Sequence, residues 1–145
     1  MPITYRLKPD EGVVILVHLG AVTDAEFLSF YKALYEDTIF DNSFNILVDL
    51  RKTESSVRSS TALKKLADFM RRQYINSTTR PKIAVVAPED ISFGLARMYE
   101  VFSDDVPWDF VVFRVADAAL AWLGLSEDLM NDLDQYAQAE DSTDS

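Results

Sequence analysis

The stretch 45–51, Asn-Ile-Leu-Val-Asp-Leu-Arg, constrains the fold more than any other part of the chain. Ile46, Leu47, Val48 and Leu50 put apolar side chains on both faces of an extended segment, the pattern of a strand covered above and below. After Arg51 the composition turns polar, with Thr53, Glu54, Ser55, Ser56, Arg58, Ser59, Ser60 and Thr61, and a helical period follows. Strand, polar loop and helix N-terminus form the arrangement in which open α/β sheets keep their ligands.

The rest of the chain arranges itself around that strand. Tyr5, Leu7 and the stretch 13–19 read as two strands joined at Lys8-Pro9-Asp10-Glu11-Gly12, where Pro presets a turn and Gly accepts positive φ. Thr23 and Glu26 form a capping box, and Phe27, Phe30, Tyr31 and Leu34 follow at helical spacing, predicting a first helix over 24–36. Ser59 or Ser60 caps a second helix with the apolar stripe Leu63, Leu66, Ala67, Met70 and Tyr74. Residues 82–87, stopped by Pro88, read as another buried strand. A third helix starts at Asp90 or Ser92. In it Ile91, Leu95, Met98 and Phe102 share a narrow arc, so they are expected to face the core and Phe93, Arg97 and Glu100 to face away. Residues 110–114 form the last strand and 117–123 a short helix stopped at Gly124. Ser126 can cap a final amphipathic helix over 125–137, with Leu129, Met130, Leu133 and Tyr136 on one side, before a disordered acidic tail at 138–145. Strands alternating with helices in this order imply a single-domain α/β fold, a mixed, mostly parallel sheet flanked by helices, with the first strand antiparallel.

Composition narrows the class of job. At 145 residues the chain suits one domain that buries roughly 70% of its unfolded surface. It has no cysteine, which excludes disulfides and thiolate metal sites. The net charge of −10 is concentrated at the end, where Glu127, Asp128, Asp132, Asp134, Glu140, Asp141 and Asp144 stand with no Lys or Arg. An acidic body with a more acidic tail argues against nucleic acid and anionic membrane as partners. The N-terminus lacks the basic and apolar regions of a secretory signal, and no apolar run approaches the roughly 20 residues of a spanning helix, so a cytoplasmic protein is expected.

Three segments carry a family resemblance. Ile46-Leu47-Val48-Asp49-Leu50 before a Ser-rich loop, Phe93-Gly94-Leu95-Ala96-Arg97-Met98-Tyr99-Glu100, and Val112-Phe113-Arg114 followed by Ala119-Leu120-Ala121-Trp122-Leu123 together resemble the SpoIIAA-like proteins of the STAS and CRAL-TRIO fold group, over about residues 2–124. The resemblance implies a compact bacterial cytoplasmic domain, related to anti-sigma-factor antagonists on one side and to lipid-binding folds on the other. The antagonists carry Asp-Ser-Ser-Gly at the start of the helix after this strand, and a kinase phosphorylates a Ser there. Here Val57-Arg58-Ser59-Ser60-Thr61 keeps the serines, while Arg58 replaces the Asp and Ser60 or Thr61 the Gly.

Ser59 and Ser60 are accordingly candidate phospho-acceptors, and equally candidate helix caps. Phe93, Gly94, Arg97, Glu100 and Val101 form a candidate interface on the third helix, where an aromatic beside glycine allows close approach. Lys64, Lys65, Arg71 and Arg72 make a basic helix face, either a solvated surface with Lys64–Asp68 and Asp68–Arg72 pairs or one that would receive an acidic partner, phosphate groups or the chain's own tail. Asp49, Glu89, Asp90, Asp104 and Asp105 are strand-end carboxylates to weigh for Mg²⁺ if they share one edge. His18, the single histidine, has no nucleophile-elbow motif with it, and no Gly-rich phosphate loop is present. Aromatics including Phe27, Tyr31, Tyr99, Trp108 and Phe110 either fill a core or line an apolar cavity. The reading is a non-enzymatic STAS-like module without a cofactor, binding a protein partner as a homodimer through the third helix and the loop 53–61. The alternative is a small carrier or sensor of an apolar, lipid-like ligand.

Overall fold

The computed structural model describes residues 3–54, 58–129 and 134. The elements are β1 (Ile3–Lys8), a short 3-10 turn (Pro9–Glu11), β2 (Val13–Ala21), α1 (Asp24–Glu36), β3 (Asn45–Glu54), α2 (Ser60–Tyr74), β4 (Lys82–Val86), α3 (Asp90–Phe102), β5 (Asp109–Phe113) and α4 (Ala116–Leu123). They form one five-stranded sheet in the order β1-β2-β3-β4-β5, in which only the β1–β2 pairing is antiparallel. Gly12, at φ 64°, closes the turn between β1 and β2 as the Pro-Asp-Glu-Gly sequence predicts. The Thr23–Glu26 capping box opens α1, and Gly124, at φ 73°, ends α4.

The strand order decides where the helices go. Crossovers of one hand that always step to the next strand in the same direction deliver their helices to one face. So α1, α2 and α3 share a face, packing Phe27, Tyr31, Leu34, Leu63, Leu66, Met70 and Tyr74 on Val14, Leu16, Ile46, Val48, Ile83 and Val85. No strand follows α4, and it lies on the other face, where Ala119, Leu120 and Leu123 meet Ile15, Val17, Leu47, Ala84 and Val86. Both faces of β3 are thereby buried, as its continuous apolar run requires.

Past α4, Ser126 Oγ accepts the Asp128 N–H at 3.1 Å and Leu129 is buried against the α4 face. Met130, Leu133, Tyr136 and the tail 138–145 lie outside the described residues. Asp134 accepts from Arg51 Nη2 at 2.9 Å on the α4 side of the sheet. At that residue the acidic segment meets Arg51 and not the cations of α2, which lie across the sheet. Among the described residues no helix is long and apolar enough to cross a membrane.

Candidate functional site

β2 and β3 run in register until Val17–Asp49, after which Leu19 pairs with Lys52. One residue of β2, His18, thus stands against two of β3, Leu50 and Arg51, which is a bulge. Side chains alternate along a strand, so Leu50 and Thr53 would ordinarily point to opposite faces. The extra residue puts both on the helix-covered side, where they join His18, Phe27, Tyr31, Ile46, Val48, Leu63, Leu66 and Met70 around a cavity. Ile83, Val85, Ser92, Leu95, Ala96, Tyr99, Trp108 and Phe110 close its other side.

This cavity exists because of how α3 sits. The helix turns Ser92, Ala96 and Tyr99 inward and leaves Ile91 59%, Met98 39% and Val101 67% exposed. The expectation that Ile91, Leu95, Met98 and Phe102 face the core is corrected for Ile91 and Met98, which are exposed. Leu95 and Phe102 are half-buried and pack against the core, as does Phe93, although expected to face away. At about 100° per residue the fully buried arc lies roughly a quarter turn from the expected one. Two of the inward residues, Ser92 and Ala96, have small side chains, and both line the cavity. The volume open to the centres of water-sized spheres is about 100 Å³. A single water needs roughly 10–15 Å³ by the same measure, so the space exceeds a structural-water site several-fold. The half-exposed lining residues Leu50, Thr53, Arg58 and Leu95 gather where β3 and β4 end, the end at which open α/β sheets bind ligands.

The wall is apolar apart from a few groups. His18 Nε2 lies 3.4 Å from Tyr31 Oη, both buried. Burial, with the nearby Arg58 charge adding to it, pushes the His18 pKa down to about 3, so the ring is neutral. Burial holds the Tyr31 and Tyr99 hydroxyls above their ordinary range, so they too are neutral. Arg58 stacks 3.9 Å over the Phe27 ring, donates Nη2 to the Val22 carbonyl at 3.0 Å and pairs with Asp24 Oδ1 at 2.7 Å. Among the described residues two buried side-chain oxygens have no hydrogen-bond partner, Thr4 Oγ1 and Tyr99 Oη. Only Tyr99 lines the cavity.

Ser59 is the N-cap of α2: its hydroxyl accepts the Ala62 N–H at 3.1 Å and donates to Asp24 Oδ2 at 2.6 Å. The Ser59 hydroxyl and the Arg58 guanidinium hold Asp24 below the usual carboxylate range. Ser60, in the first turn, is exposed. On α3, Gly94, Arg97 and Val101 are exposed, Arg97 pairs with Glu100 at 3.1 Å, and Phe93 lies half-buried under the Arg114 guanidinium, 4.1 Å away. The carboxylates weighed for Mg²⁺ do not share an edge. Asp49 is buried in a fork with Arg51, Glu89 and Asp90 follow the C-terminal end of β4, and Asp104 and Asp105 precede the N-terminal end of β5. No group of three His, Asp or Glu placed to hold a metal occurs among the described residues. His18, Arg58 and Ser92 are cavity residues that the sequence reading did not assign to a pocket. The alternation Val14, Leu16, His18 along β2 was the available signal for the first of them.

No family model matches the chain, and no curated protein matches it. Among solved structures it is similar to an uncharacterized protein of the DUF3478 family with a SpoIIAA-like fold from Shewanella loihica PV-4. The TM-score is 0.55 at 16% identity, over 83% of this chain and 91% of that one. The fold is SpoIIAA-like, in agreement with the resemblance carried by 46–50, 93–100 and 112–123.

Proposed function

We propose that this SpoIIAA-like domain binds a small apolar molecule between its sheet and α1–α3, as a carrier or sensor. One observation carries the reading: α3 directs Ser92 and Ala96 at the sheet while Ile91 and Val101 of the same helix face water. A helix selected for stability alone would bury its larger apolar side chains and fill the space. Native mass spectrometry of freshly purified protein tests it. The expected result is an added mass that denaturation removes and that Ala96→Leu, which fills the cavity, abolishes. Spectra showing whole multiples of the chain mass alone, the same for both proteins, overturn the proposal.

A second reading, a homodimeric interaction module, draws on that same helix. Ile91, Gly94, Met98 and Val101 make an exposed, largely apolar strip bordered by Arg97. Val101→Asp is expected to halve the sedimenting mass of a dimer without unfolding the protomer. A monomer before and after the substitution removes this reading.

A further inference from the structure

The cavity sets a size limit on what it can enclose. Resting on the carrier reading above, we infer that the ligand enters as an apolar body of about seven to ten non-hydrogen atoms, a medium-length alkyl chain or a single substituted ring, and that long-chain lipids are excluded. Two observations carry this. The first is capacity. The volume open to the centres of water-sized spheres is about 100 Å³, and one water takes roughly 10–15 Å³ by that measure, so the space admits about seven to ten water-sized groups. A methyl or methylene group is close to a water molecule in size, which turns that count into carbon atoms. The second is that the space ends inside the protein. Its mouth lies where β3 and β4 end. Toward the opposite end of the strands the lining residues Ile46, Met70, Ile83 and Trp108 are all buried, and the Trp108 ring rests 5.4 Å from that of the fully buried Tyr74. On the β5 side Phe110 is half-buried, with its ring 5.5 Å from Tyr99 and 5.8 Å from Trp108. A chain longer than the space would have to run back through the mouth into water, where further methylenes gain nothing from burial.

The n-alkanols from butanol to dodecanol form a ruler for this space, since each member lengthens the apolar body by one carbon and its hydroxyl can stay in the water at the mouth. Their dissociation constants for the full chain, measured by NMR titration, are expected to fall about fourfold with each added carbon while the chain is being buried, and to level off between heptanol and decanol. Ala96→Leu adds three carbons to the wall and is expected to move that limit about three carbons lower. Should that variant fail to fold, Leu63→Ala, which takes three carbons from the wall, is expected to move it about three higher. An affinity still rising through dodecanol, or level from pentanol onwards, overturns the size limit and leaves the cavity reading standing. If no alkanol binds, or if neither variant moves the limit, the cavity reading fails and this inference with it.

Discussion

A histidine at 4% exposure with a cation near it and no carboxylate is a charge that folding excludes. The native state holds His18 neutral down to about pH 3, whereas the unfolded chain protonates it near its ordinary value of about 6.5. The folded pKa is the lower one, so the unfolded state binds the extra proton, and stability is full above pH 6.5 and falls as pH drops toward 3. The slope is about 1.4 kcal/mol per pH unit. His18 is the sole histidine, and carboxylates remain largely ionised at pH 5, so urea midpoints at pH 7 and pH 5 isolate the effect. His18→Gln is expected to flatten that difference, and an equally steep loss in the variant would assign it elsewhere. At the other polar corner, Ser59→Ala removes the α2 cap and the donor to Asp24 together and is expected to cost about 1 kcal/mol in the same assay. The cap itself was legible from Ser59 standing before an apolar period. Its partner Asp24, 35 positions away, was not, because nothing local ties a helix start to the carboxylate opening an earlier helix.

At the scale of elements, periodicity gave β1 to β5 and α1 to α4 in their order, and gave the buried stripe of α2 residue by residue: Leu63, Leu66, Ala67, Met70 and Tyr74. It failed on α3. A hydrophobic arc predicts the face that would be buried if burial were maximal, and α3 is seated instead on Ser92, Ala96 and Tyr99. Tyr99 meets Trp108 and Phe110, ring centroids 6.2 and 5.5 Å apart, and this aromatic contact outweighs the arc of Ile91 and Met98. The orientation is testable by stability. Ile91→Lys is expected to change the unfolding free energy by no more than about 0.5 kcal/mol, as on any open surface. Burial of that residue would make the cost at least about 2 kcal/mol. The bulge at Leu50–Arg51 was equally hidden, since it is a property of two strands paired and not of β3 alone. Without the bulge the turn of Thr53 toward the cavity had no signature in the chain.

Across the whole molecule the two faces of the sheet differ in kind. The α1–α3 face carries the cavity, and the α4 face carries an ion pair with one buried member, Asp49 at 4% exposure, held by Nε and Nη2 of the half-buried Arg51 at 2.9 Å each. Removing one member of such a pair leaves an uncompensated charge. Arg51→Ala is expected to cost about 3 kcal/mol or more, and Asp49→Leu with Arg51→Met to recover much of it, as urea unfolding would read. The sequential strand order has a consequence in time. Each strand pairs with the one made just before it, so the sheet grows by addition at one edge, and a chain emerging from the ribosome can fold in that order. Phe27, Tyr31, Leu63 and Leu66 are in place early, whereas Tyr99, Trp108 and Phe110 come with α3 and β5. The far wall of the cavity is thus the last seam of the sheet to close, and on the carrier reading proposed above a ligand present during synthesis would be enclosed by the final strand rather than threaded through the finished mouth.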